Sequence, residues 1–561
     1  MCGLQQLSGE TLTTVDRTLG TTRPLPERVA IIGCGFTGTS ALHQLVERYP
    51  VREITIFEKS GEFGPGYPYG ISECRDYLLN SATDTLCIEP GDRKAFLRWL
   101  TQNAGIAPIE AKGYRPRAEF GAFLADTVRT ARVHAANKGI RVTIVPAEVT
   151  AVHENPDGTV DLVWPGGRAV ADAVILATGR CPDVAPPGLP EDISEARYFP
   201  SQVDSDGLDA IPLDATCHVL GASLSAYDII NRMFGPGTGC RFERGEDGLR
   251  FIPGPNRRRV VLCSRSGRLK KVQSLKPMPI ARTRLAPEVL RSMAHRGQLT
   301  IEAVASLVNE EAVLHRAVID WPSVLDPYSG CESDADIDRR AAEILAADIA
   351  NASGAGTNNF LVDLADDAQL CLWDAFAAYK LPPDEELRYR RRIESAFLTY
   401  AAPCPVTTAE RLLALLRCGR VSIRTGVKRV LSQAAGGGFL ISHKYGEERA
   451  SILINATGAM DRRVSSERQS ALVGAMRASG IFRPYLLKGM EDDGASVDMS
   501  TFRATGSRSI YIANMFLWGP GFFTSSAFMM ATVVEQILRA IYQPGSMSAL
   551  KQASALGAGY G

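Results

Sequence analysis

Residues 28–60 read RVAIIGCGFTGTSALHQLVERYPVREITIFEKS, and this stretch decides the fold. The apolar residues 29–32 predict a short buried strand, and the spacing of apolar residues after the glycines predicts a helix. Between the two, Gly33, Gly35 and Gly38 fill the three glycine positions of a GxGxxG turn. A strand, a glycine turn and a helix in this order predict a dinucleotide-binding α/β unit.

Each glycine of this turn has a separate physical role. Gly33 permits the tight turn, Gly35 lets the backbone approach a pyrophosphate, and Gly38 lets the helix pack closely on the strand. The helix is expected to start near Gly38 and to continue over Thr39 to Val46, and its N-terminus faces the phosphate charge. Phe36 and Thr37, within the turn, are expected cofactor contacts. A glycine turn that serves packing alone is the alternative.

The second strand of the unit ends in an acid, Glu58, where a carboxylate accepts hydrogen bonds from both ribose hydroxyls. A carboxylate disfavours a 2′-phosphate, so NAD or FAD fits this site better than NADP. Residues 61–85, GEFGPGYPYGISECRDYLLNSATDT, then predict an extended loop of backbone donors along the cofactor, which favours FAD. We expect Lys59, Gly66 and Tyr67 to contact it; an ordinary surface loop is the alternative.

An internal repeat predicts a second unit of the same kind. Residues 141–179 and 420–458 have equal length, and each predicts a strand, short strands around a glycine turn, and a buried strand that ends in Ala-Thr-Gly. Two such units imply two nucleotides. The residues of the two repeats that we expect at the nucleotides are Val149, Thr178, Gly179, Thr457 and Gly458.

A second glycine corner, CHVLGASLSAYDIINRMFG at residues 217–235, is a weaker match. It retains the first glycine but has serine and alanine in the other two positions. The following strand ends in Ser264 and Arg265, where a guanidinium can bind a 2′-phosphate through charge-assisted hydrogen bonds. We therefore predict NADPH rather than NADH here, with a solvated surface arginine as the alternative. The expected contacts are Gly221, Ser223, Ser225, Ser264 and Arg265.

These patterns predict an α/β fold with two Rossmann-like dinucleotide-binding domains, for FAD and NADPH, and an inserted helical domain. The insert is expected because apolar and charged residues alternate with helical spacing between the second corner and the second repeat. In chain order we expect a flexible N-terminal tail (1–27), the first part of the FAD domain (28–205), the first part of the NADPH domain (206–284), the helical insert as substrate domain (285–418), the return of the NADPH domain (419–458), the C-terminal part of the FAD domain (459–542) and a flexible tail (543–561).

Composition excludes several classes of function. Lys plus Arg equals Asp plus Glu, 62 each, so no net field attracts nucleic acid or an anionic membrane. The 12 cysteines include no CxxC pair, and the sequence has no HExxH metal motif, so neither a dithiol relay nor a metal centre is expected. The N-terminus is polar, and there is no apolar run of eighteen residues, so we expect a cytoplasmic protein. The chemistry must come from the cofactor.

Four further motifs resemble a known family of FAD/NAD(P)-binding flavoproteins. GPGYPYG (64–70), YLLNSA (77–82), FLRWL (96–100) and YRPRAEFGAFL (114–124) are similar to the series that follows the first glycine motif in that family. Weaker similarity extends through both Ala-Thr-Gly motifs and residues 387–421. The resemblance implies bound FAD and a reduced nicotinamide. Members include flavin N-monooxygenases that convert aspartate to nitrosuccinate, and the layout also resembles ornithine and lysine N-hydroxylases.

We therefore expect an N-oxygenating monooxygenase that acts on a small, aspartate-like amino acid with NADPH and O2, through a flavin C4a-hydroperoxide. A flavin dehydrogenase without oxygenation and a flavin-binding regulatory protein are the alternatives, and the oligomeric state stays open. The family's usual histidine before Leu-Leu-Asn is Tyr77 here, so no role is assigned to that side chain.

The candidate catalytic residue is Asn80, a polar residue after the apolar Leu79 that can bond flavin or nicotinamide; capping of a turn is the alternative. Near the C-terminus, residues 510–538 predict a strand, a Gly-Pro-Gly turn and a helix whose N-terminus stabilises charge on reduced flavin. Its expected flavin contacts are Gly521, Phe522 and Thr524. Arginine and lysine can bind substrate carboxylates, although charged runs are usually solvated faces. The candidates are Lys276, Arg282 and Arg391.

Overall fold

A computed structural model describes residues 24–543, except 71–76, 108–112, 187, 190–196, 202–204, 247, 357–358, 366–380, 433–436 and 522–525. The expected flavin contacts Phe522 and Thr524, and nearly all of the two predicted tails, lie outside the described residues.

The described strands are β1 (Arg28–Ile32), β2 (Glu53–Phe57), β3 (Arg141–Val145), β4 (Ala151–Glu154), β5 (Val160–Trp164), β6 (Gly167–Ala171), β7 (Ala173–Leu176), β8 (Arg197–Phe199), β9 (Thr216–Leu220), β10 (Arg241–Gly245), β11 (Gly248–Ile252), β12 (Arg259–Cys263), β13 (Val421–Arg424), β14 (Arg429–Ser432), β15 (Phe439–His443), β16 (Gly446–Ala450), β17 (Ile452–Asn455), β18 (Pro484–Leu487), β19 (Met490–Ala495), β20 (Val497–Asp498), β21 (Arg503–Ala504) and β22 (Ile510–Ile512).

The described α-helices are α1 (Phe36–Arg48), α2 (Ala95–Gln102), α3 (Arg117–Asn137), α4 (Ser205–Asp209), α5 (Leu224–Met233), α6 (Pro287–His295), α7 (Ile301–Leu314), α8 (Trp321–Leu325), α9 (Asp334–Ala352), α10 (Pro383–Arg392), α11 (Glu394–Ala401), α12 (Val406–Arg417), α13 (Ala471–Ala478) and α14 (Ala527–Tyr542).

The first sheet combines strands from both ends of the chain. Its order is β20-β21-β22-β7-β1-β2-β3, and the five strands from β22 to β3 run parallel. Ile31 of β1 pairs in register with Ile56 of β2 and Ile175 of β7, and all three side chains are fully buried. Helix α1 packs against α3 and α14 beside this sheet. Strands that are apolar along nearly their whole length, such as β1 and β7, are typical of a parallel sheet that is covered on both faces.

The second sheet has the order β13-β12-β9-β17-β8, and all its strands are parallel. Val219 of β9, Leu262 of β12 and Ile454 of β17 are fully buried in its core. The chain enters this sheet after β7 and leaves it after β17, so two connections join the two sheets.

The two repeated stretches have the same structure. Each begins in a parallel strand (β3 or β13), continues through a three-stranded antiparallel sheet (β4-β5-β6 or β14-β15-β16), and ends in a buried parallel strand (β7 or β17). The predicted α/β fold with two dinucleotide-type units is therefore confirmed.

The described elements between β12 and β13 are the helices α6 to α12. Helices α9 and α12 pack on the second sheet, where Leu345 and Leu415 join its core. Leu285, Leu290 and Phe360 belong to a separate core. A further small cluster forms around Tyr389 of α10, with Phe397 and Leu398 of α11 packed against it. The described helices of residues 285–418 thus divide among three apolar clusters.

Candidate cofactor and substrate site

The first glycine corner lies between β1 and α1 and is closed by contacts that exclude side chains. Gly33 has φ +97°, and a Cβ there would lie 2.4 Å from the Ala177 carbonyl oxygen. A Cβ on Gly38 would lie 2.0 Å from the Gly33 carbonyl oxygen. Gly35 faces Gly66, because a Cβ on Gly35 would lie 3.3 Å from the Gly66 Cα. The loop after β2 therefore lies directly against the glycine turn.

The N-terminus of α1 has the features of an anion site. Its N-cap is Gly35, no side chain caps it, and its first turn contains no acid. The N–H groups of the first turn lack helical partners, so they can bind a phosphate. Thr37 is half-buried there, whereas the Phe36 side chain is buried and stacks on Phe120 with ring centroids 6.1 Å apart. Phe36 can therefore offer only its backbone to a cofactor.

Glu58 is fixed beside this corner. Its Oε2 accepts a hydrogen bond from the Cys34 N–H at 2.9 Å, and its Oε1 accepts from the Ser60 N–H at 3.0 Å and from the Ser60 hydroxyl at 2.9 Å. A carboxylate has about four acceptor positions, so further donors such as ribose hydroxyls can still bind. Lys59 is exposed next to it.

Polar and exposed groups surround the carboxyl end of β7. Thr178 and Gly179 are exposed there, and the Thr178 hydroxyl accepts a hydrogen bond from the Asn514 side chain at 3.0 Å. Gly179 has φ +70°. Val149, by contrast, is buried. The Ala-Thr-Gly motif therefore meets the segment after β22 at the sheet edge where dinucleotides bind in such folds.

The loop after β2 also reaches the connection to the second sheet. The Tyr67 hydroxyl lies 2.8 Å from the Ser201 hydroxyl, and the Arg180 guanidinium lies over the Tyr67 ring at 4.5 Å. Further along, Leu79 is buried, whereas Asn80 is exposed. Exposure leaves the Asn80 amide accessible to a ligand.

The second corner repeats the backbone geometry of the first. Gly221 has φ +112°, and a Cβ there would lie 2.6 Å from the Ala456 carbonyl oxygen. The Gly221 N–H donates to the Cys263 carbonyl at 2.8 Å, as the Gly33 N–H does to Phe57. Helix α5 begins after Ser223, which makes no side-chain capping bond. Its first-turn N–H groups can therefore bind phosphate in the same way.

The remaining residues predicted at the second corner lie around its sheet edge. Ser225 is half-buried, and Thr457 and Gly458 are exposed after β17. The Ser264 hydroxyl accepts a hydrogen bond from the Gly267 N–H at 2.9 Å, and Arg265 is exposed. Ser264 occupies the position after β12 that Glu58 occupies after β2.

The segment between β22 and α14 approaches the helical region. The Gly521 residue is buried, and Ser526 caps α14 by accepting a hydrogen bond from the Met529 N–H at 3.1 Å. Arg390 of α10 donates to the Gly519 carbonyl at 2.5 Å and to Glu386 at 2.6 Å. One helix of residues 285–418 therefore contacts the segment next to the predicted flavin site.

Of the three predicted substrate cations, Lys276 and Arg391 are exposed and Arg282 is half-buried. Arg390, which was not among the predicted substrate cations, turns inward. A signal for it was present: Glu386 and Arg390 are four residues apart, so they share the helix face that also carries the buried Glu386 side chain.

A second arginine, Arg462, lies against the same segment. Its guanidinium lies over the Trp518 ring at 4.8 Å and bonds Asp493 at 3.2 Å. Burial raises the pKa of Asp493, and burial likewise raises the pKa of Glu394, although Arg390 and Arg462 oppose both shifts. Two arginines and two carboxyl groups therefore cluster around residues 518–519.

A cavity of about 340 Å³ lies between α6, the start of α10 and the β18–β19 hairpin. Leu299, Leu381 and Leu487 contribute apolar walls, and Glu386 and Tyr485 contribute polar ones. The Tyr485 hydroxyl donates to Glu386 at 3.1 Å. This volume is in the range of small-molecule pockets.

Within the part of the chain that the structure describes, no group of three or more His, Cys, Asp or Glu side chains could hold a metal ion. In the same part, no helix is both long and apolar enough to cross a lipid bilayer.

Comparisons with known proteins agree with this geometry. Residues 30–181 match a family model described as FAD-NAD(P)-binding. The nitrosuccinic acid synthase of Aspergillus oryzae is 27% identical over 264 residues, which are 43% of this chain and 40% of that protein. The matched part is thus less than half of that relative's length.

One solved structure reaches the similarity of a shared fold, and a second is more distantly similar. The ornithine N-hydroxylase of Kutzneria sp. 744 has a TM-score of 0.50 at 14% identity and covers 93% of this chain and 100% of its own. The L-lysine 6-monooxygenase of Pseudomonas syringae has a TM-score of 0.49 at 14% identity, with 94% and 99% covered. The family match over residues 30–181 agrees with the FAD/NAD(P)-binding resemblance that the motifs predicted.

Proposed function

We propose that this chain is a cytoplasmic monooxygenase that uses FAD, NADPH and O2 to oxygenate the amino group of a small, aspartate-like amino acid. The observation that carries the proposal is the pair of glycine corners, which have the same backbone geometry at the ends of two parallel sheets. One strand end carries an acid, Glu58, and the other carries Ser264 and Arg265.

FAD is assigned to the first corner. The uncapped N-terminus of α1 holds the pyrophosphate, and Glu58 holds the ribose hydroxyls. The loop around Gly66 and Tyr67 and the exposed Thr178 and Gly179 line the path away from the corner. A glycine turn that serves packing alone would not need an uncapped helix end beside a fixed carboxylate.

NADPH is assigned to the second corner. Ser264 and Arg265 lie where the 2′-phosphate of the adenosine ribose would bind. A guanidinium and a hydroxyl can both donate to that phosphate, whereas a carboxylate at this position would repel it. The α5 N-terminus holds the pyrophosphate.

The bound flavin would take two electrons from the nicotinamide, transfer one oxygen atom of dioxygen to the amine, and release the other as water. The chain itself has to exclude water and orient the amine. Asp493 and Glu394 can accept the ammonium proton, so that a neutral amine is presented. Arg390 and Arg462 are positioned to orient substrate carboxylates, and Lys276, Arg282 and Arg391 stay predictions for that role.

The aspartate-like substrate rests on the similarity to nitrosuccinic acid synthase. The two partly buried arginines, Arg390 and Arg462, support it, because arginine forks match carboxylates. A diamine substrate would not need them.

The test is to supply the purified yellow protein with NADPH, isotopically labelled dioxygen and a panel of amino acids, and to analyse products by mass spectrometry. We expect labelled oxygen on the nitrogen of an acidic amino acid. NADPH consumption with hydrogen peroxide as the only oxygen product would favour a dehydrogenase or oxidase, and a colourless protein that binds no FAD would favour a regulatory role. Either result would contradict the proposal.

A further inference from the structure

Helix α5, which begins at the second corner, contacts the first unit through an ion pair whose carboxylate is buried and whose guanidinium is partly buried. Arg117, at the start of α3, lies 2.9 Å from the Asp228 carboxylate of α5. Only 6% of the Asp228 side chain and 20% of the Arg117 side chain are exposed. A pair this far from water is costly to break, because one charge is then left buried without its partner.

A second contact reaches the same face of α5 one turn later. The Arg232 guanidinium lies 5.9 Å from the Tyr77 ring centroid, and Asp209 binds its other side with two hydrogen bonds of 2.7 Å. The hydrogen bonds that Arg232 donates to Asp209 raise its pKa, burial opposes this shift, and a further hydrogen bond to the Tyr77 hydroxyl adds to it. Asp228 and Arg232 are four residues apart, so both project from one face of the helix.

On the first unit, both contacts come from residues 77–79 and 115–117, which hydrogen-bond to each other. The Leu79 N–H donates to the Arg115 carbonyl at 2.9 Å, and the Arg117 N–H donates to the Tyr77 carbonyl at 2.8 Å. The Arg117 side chain also donates to the Leu78 carbonyl at 3.2 Å. These hydrogen bonds fix residues 77–79 relative to residues 115–117. A shift of Arg117 would therefore move the segment next to Asn80.

The two connections between the sheets also pair with each other. The Asp461 N–H donates to the Pro182 carbonyl at 2.8 Å, and the Val184 N–H donates to the Ala459 carbonyl at 3.1 Å. Two paired chain segments of this kind can act as a hinge, because a few backbone angles absorb a rotation. A contact made by side chains of α5 is then needed to fix the angle between the first unit and the second.

We propose that Arg117 and Asp228 are positioning residues that fix the nicotinamide-binding helix relative to the flavin-binding unit. The inference rests on the proposed binding of FAD and NADPH. Hydride transfer requires two rings at reacting distance, and a displacement of about 1 Å costs on the order of a hundredfold in rate. The pair therefore controls the rate at which NADPH reduces the flavin, without contacting either nucleotide.

The test uses the full-length protein with FAD bound and measures flavin reduction under anaerobic conditions in a stopped-flow instrument. We expect Arg117→Gln and Asp228→Asn each to slow reduction at saturating NADPH about 10- to 100-fold. The NADPH concentration for half-maximal rate should change by less than about threefold, because Gly221, Ser264 and Arg265 are untouched. Reduction by dithionite should keep its wild-type rate.

The double variant R117Q/D228N separates positioning from stability. It leaves no buried unpaired charge, so its thermal stability should recover toward the wild-type value, while flavin reduction by NADPH stays slow. If the reduction rate recovers together with the stability, the role is only structural and the inference is overturned.

Glu119→Gln is the matched control, because it removes the Arg115–Glu119 ion pair of 2.7 Å within the first unit. NADPH should reduce the flavin of this variant at the wild-type rate. If the single variants fold poorly, Tyr77→Phe removes one hydroxyl from the second contact and should still slow reduction by about threefold. Wild-type rates in R117Q/D228N and Y77F would overturn the inference while leaving the proposed function intact; absence of NADPH-dependent reduction in the wild type would overturn the proposed function itself.

Discussion

The two glycine corners are alike in backbone and different in the side chains at their strand ends. Gly33 and Gly221 have φ values of +97° and +112°, and both face a carbonyl of an Ala-Thr-Gly motif. After β2 comes Glu58, bonded by Cys34 and Ser60, whereas after β12 comes Ser264 and then the exposed Arg265. The proposed assignment of FAD to the first corner and NADPH to the second therefore rests on the residue that follows the second strand of each unit.

The largest expected effect is on FAD content, and it should differ between substitutions of the first glycine in the two corners. Gly33→Ala should yield protein with at least about tenfold less FAD, because a side chain at positive φ is strained and its Cβ would collide with the Ala177 carbonyl. Gly221→Ala should keep its FAD, since its clash is with Ala456 of the other unit. The ratio of flavin to protein absorbance measures both.

The control for these variants is Gly474→Ala in α13, where no atom lies within 4 Å of an added Cβ. It should keep its FAD and gain slight stability, because alanine favours helix over glycine. Equal loss of FAD from the G33A and G221A proteins would mean that the corners do not bind separate nucleotides.

A smaller effect is expected at the acid of the first corner. Glu58→Ala should raise the FAD dissociation constant about 10- to 100-fold, because hydrogen bonds to a charged group contribute about 1.5–3 kcal/mol. Titration of apoprotein with FAD, followed by flavin fluorescence, measures it. Glu62→Ala, an exposed acid in the same loop, should bind like the wild type, and an unchanged dissociation constant for the E58A protein would exclude the assigned ribose contact.

The matching change at the second corner concerns nucleotide preference. Arg265→Ala should raise the KM for NADPH about tenfold and leave that for NADH unchanged, because the guanidinium meets only the 2′-phosphate. Steady-state oxidation of both nucleotides gives the comparison, with the exposed Arg250 replaced by alanine as the control. An equal rise in the KM for both nucleotides would contradict a contact between Arg265 and the 2′-phosphate.

The smallest effect is an acid sensitivity of the second unit. A hydrogen bond from His218, followed by the charge of Arg424, lowers the pKa of Glu448 to about 2. The folded-state pKa is below the ordinary value of 4.5, so this stabilisation is present above about pH 4.5 and is lost as the pH falls toward 2. Glu448 is partly exposed, so screening reduces the effect to about 1 kcal/mol.

Thermal unfolding between pH 6 and 3 tests this prediction, with pH values chosen to span about the range in which glutamate titrates. Glu448→Gln should unfold with a shallower loss of stability on acidification than the wild type. The neighbouring exposed Glu447 gives the matched variant Glu447→Gln, and identical pH slopes for the two variants would contradict the assignment.

Local patterns were enough to predict the two corners. Strand, glycine turn and helix are consecutive in the chain, and Gly33 and Gly38 are required by contacts within a few residues or with the neighbouring strand. Gly35 is only partly explained by its predicted role, since its missing side chain also admits the loop at Gly66.

Contacts between distant segments could not be read from the sequence in the same way. A step of one residue rotates a helix position by about 100°, so the run RYRRR predicted a cation but not that Arg390, rather than Arg391, turns inward. Lys270, beyond Arg265 in the chain, lies in a charged stretch and yet is buried and donates to the Leu398 carbonyl at 2.6 Å. Burial lowers its pKa to about 8.

The most direct measurement of the central claim is the anaerobic bleaching of the flavin by NADPH in the wild type and in the Gly221→Ala protein. If FAD and NADPH occupy separate corners, the wild type bleaches rapidly, while the variant keeps its bound flavin and bleaches at least about tenfold more slowly at any given NADPH concentration below saturation. A variant that bleaches at the wild-type rate, or a wild type that NADPH does not bleach, would contradict the account.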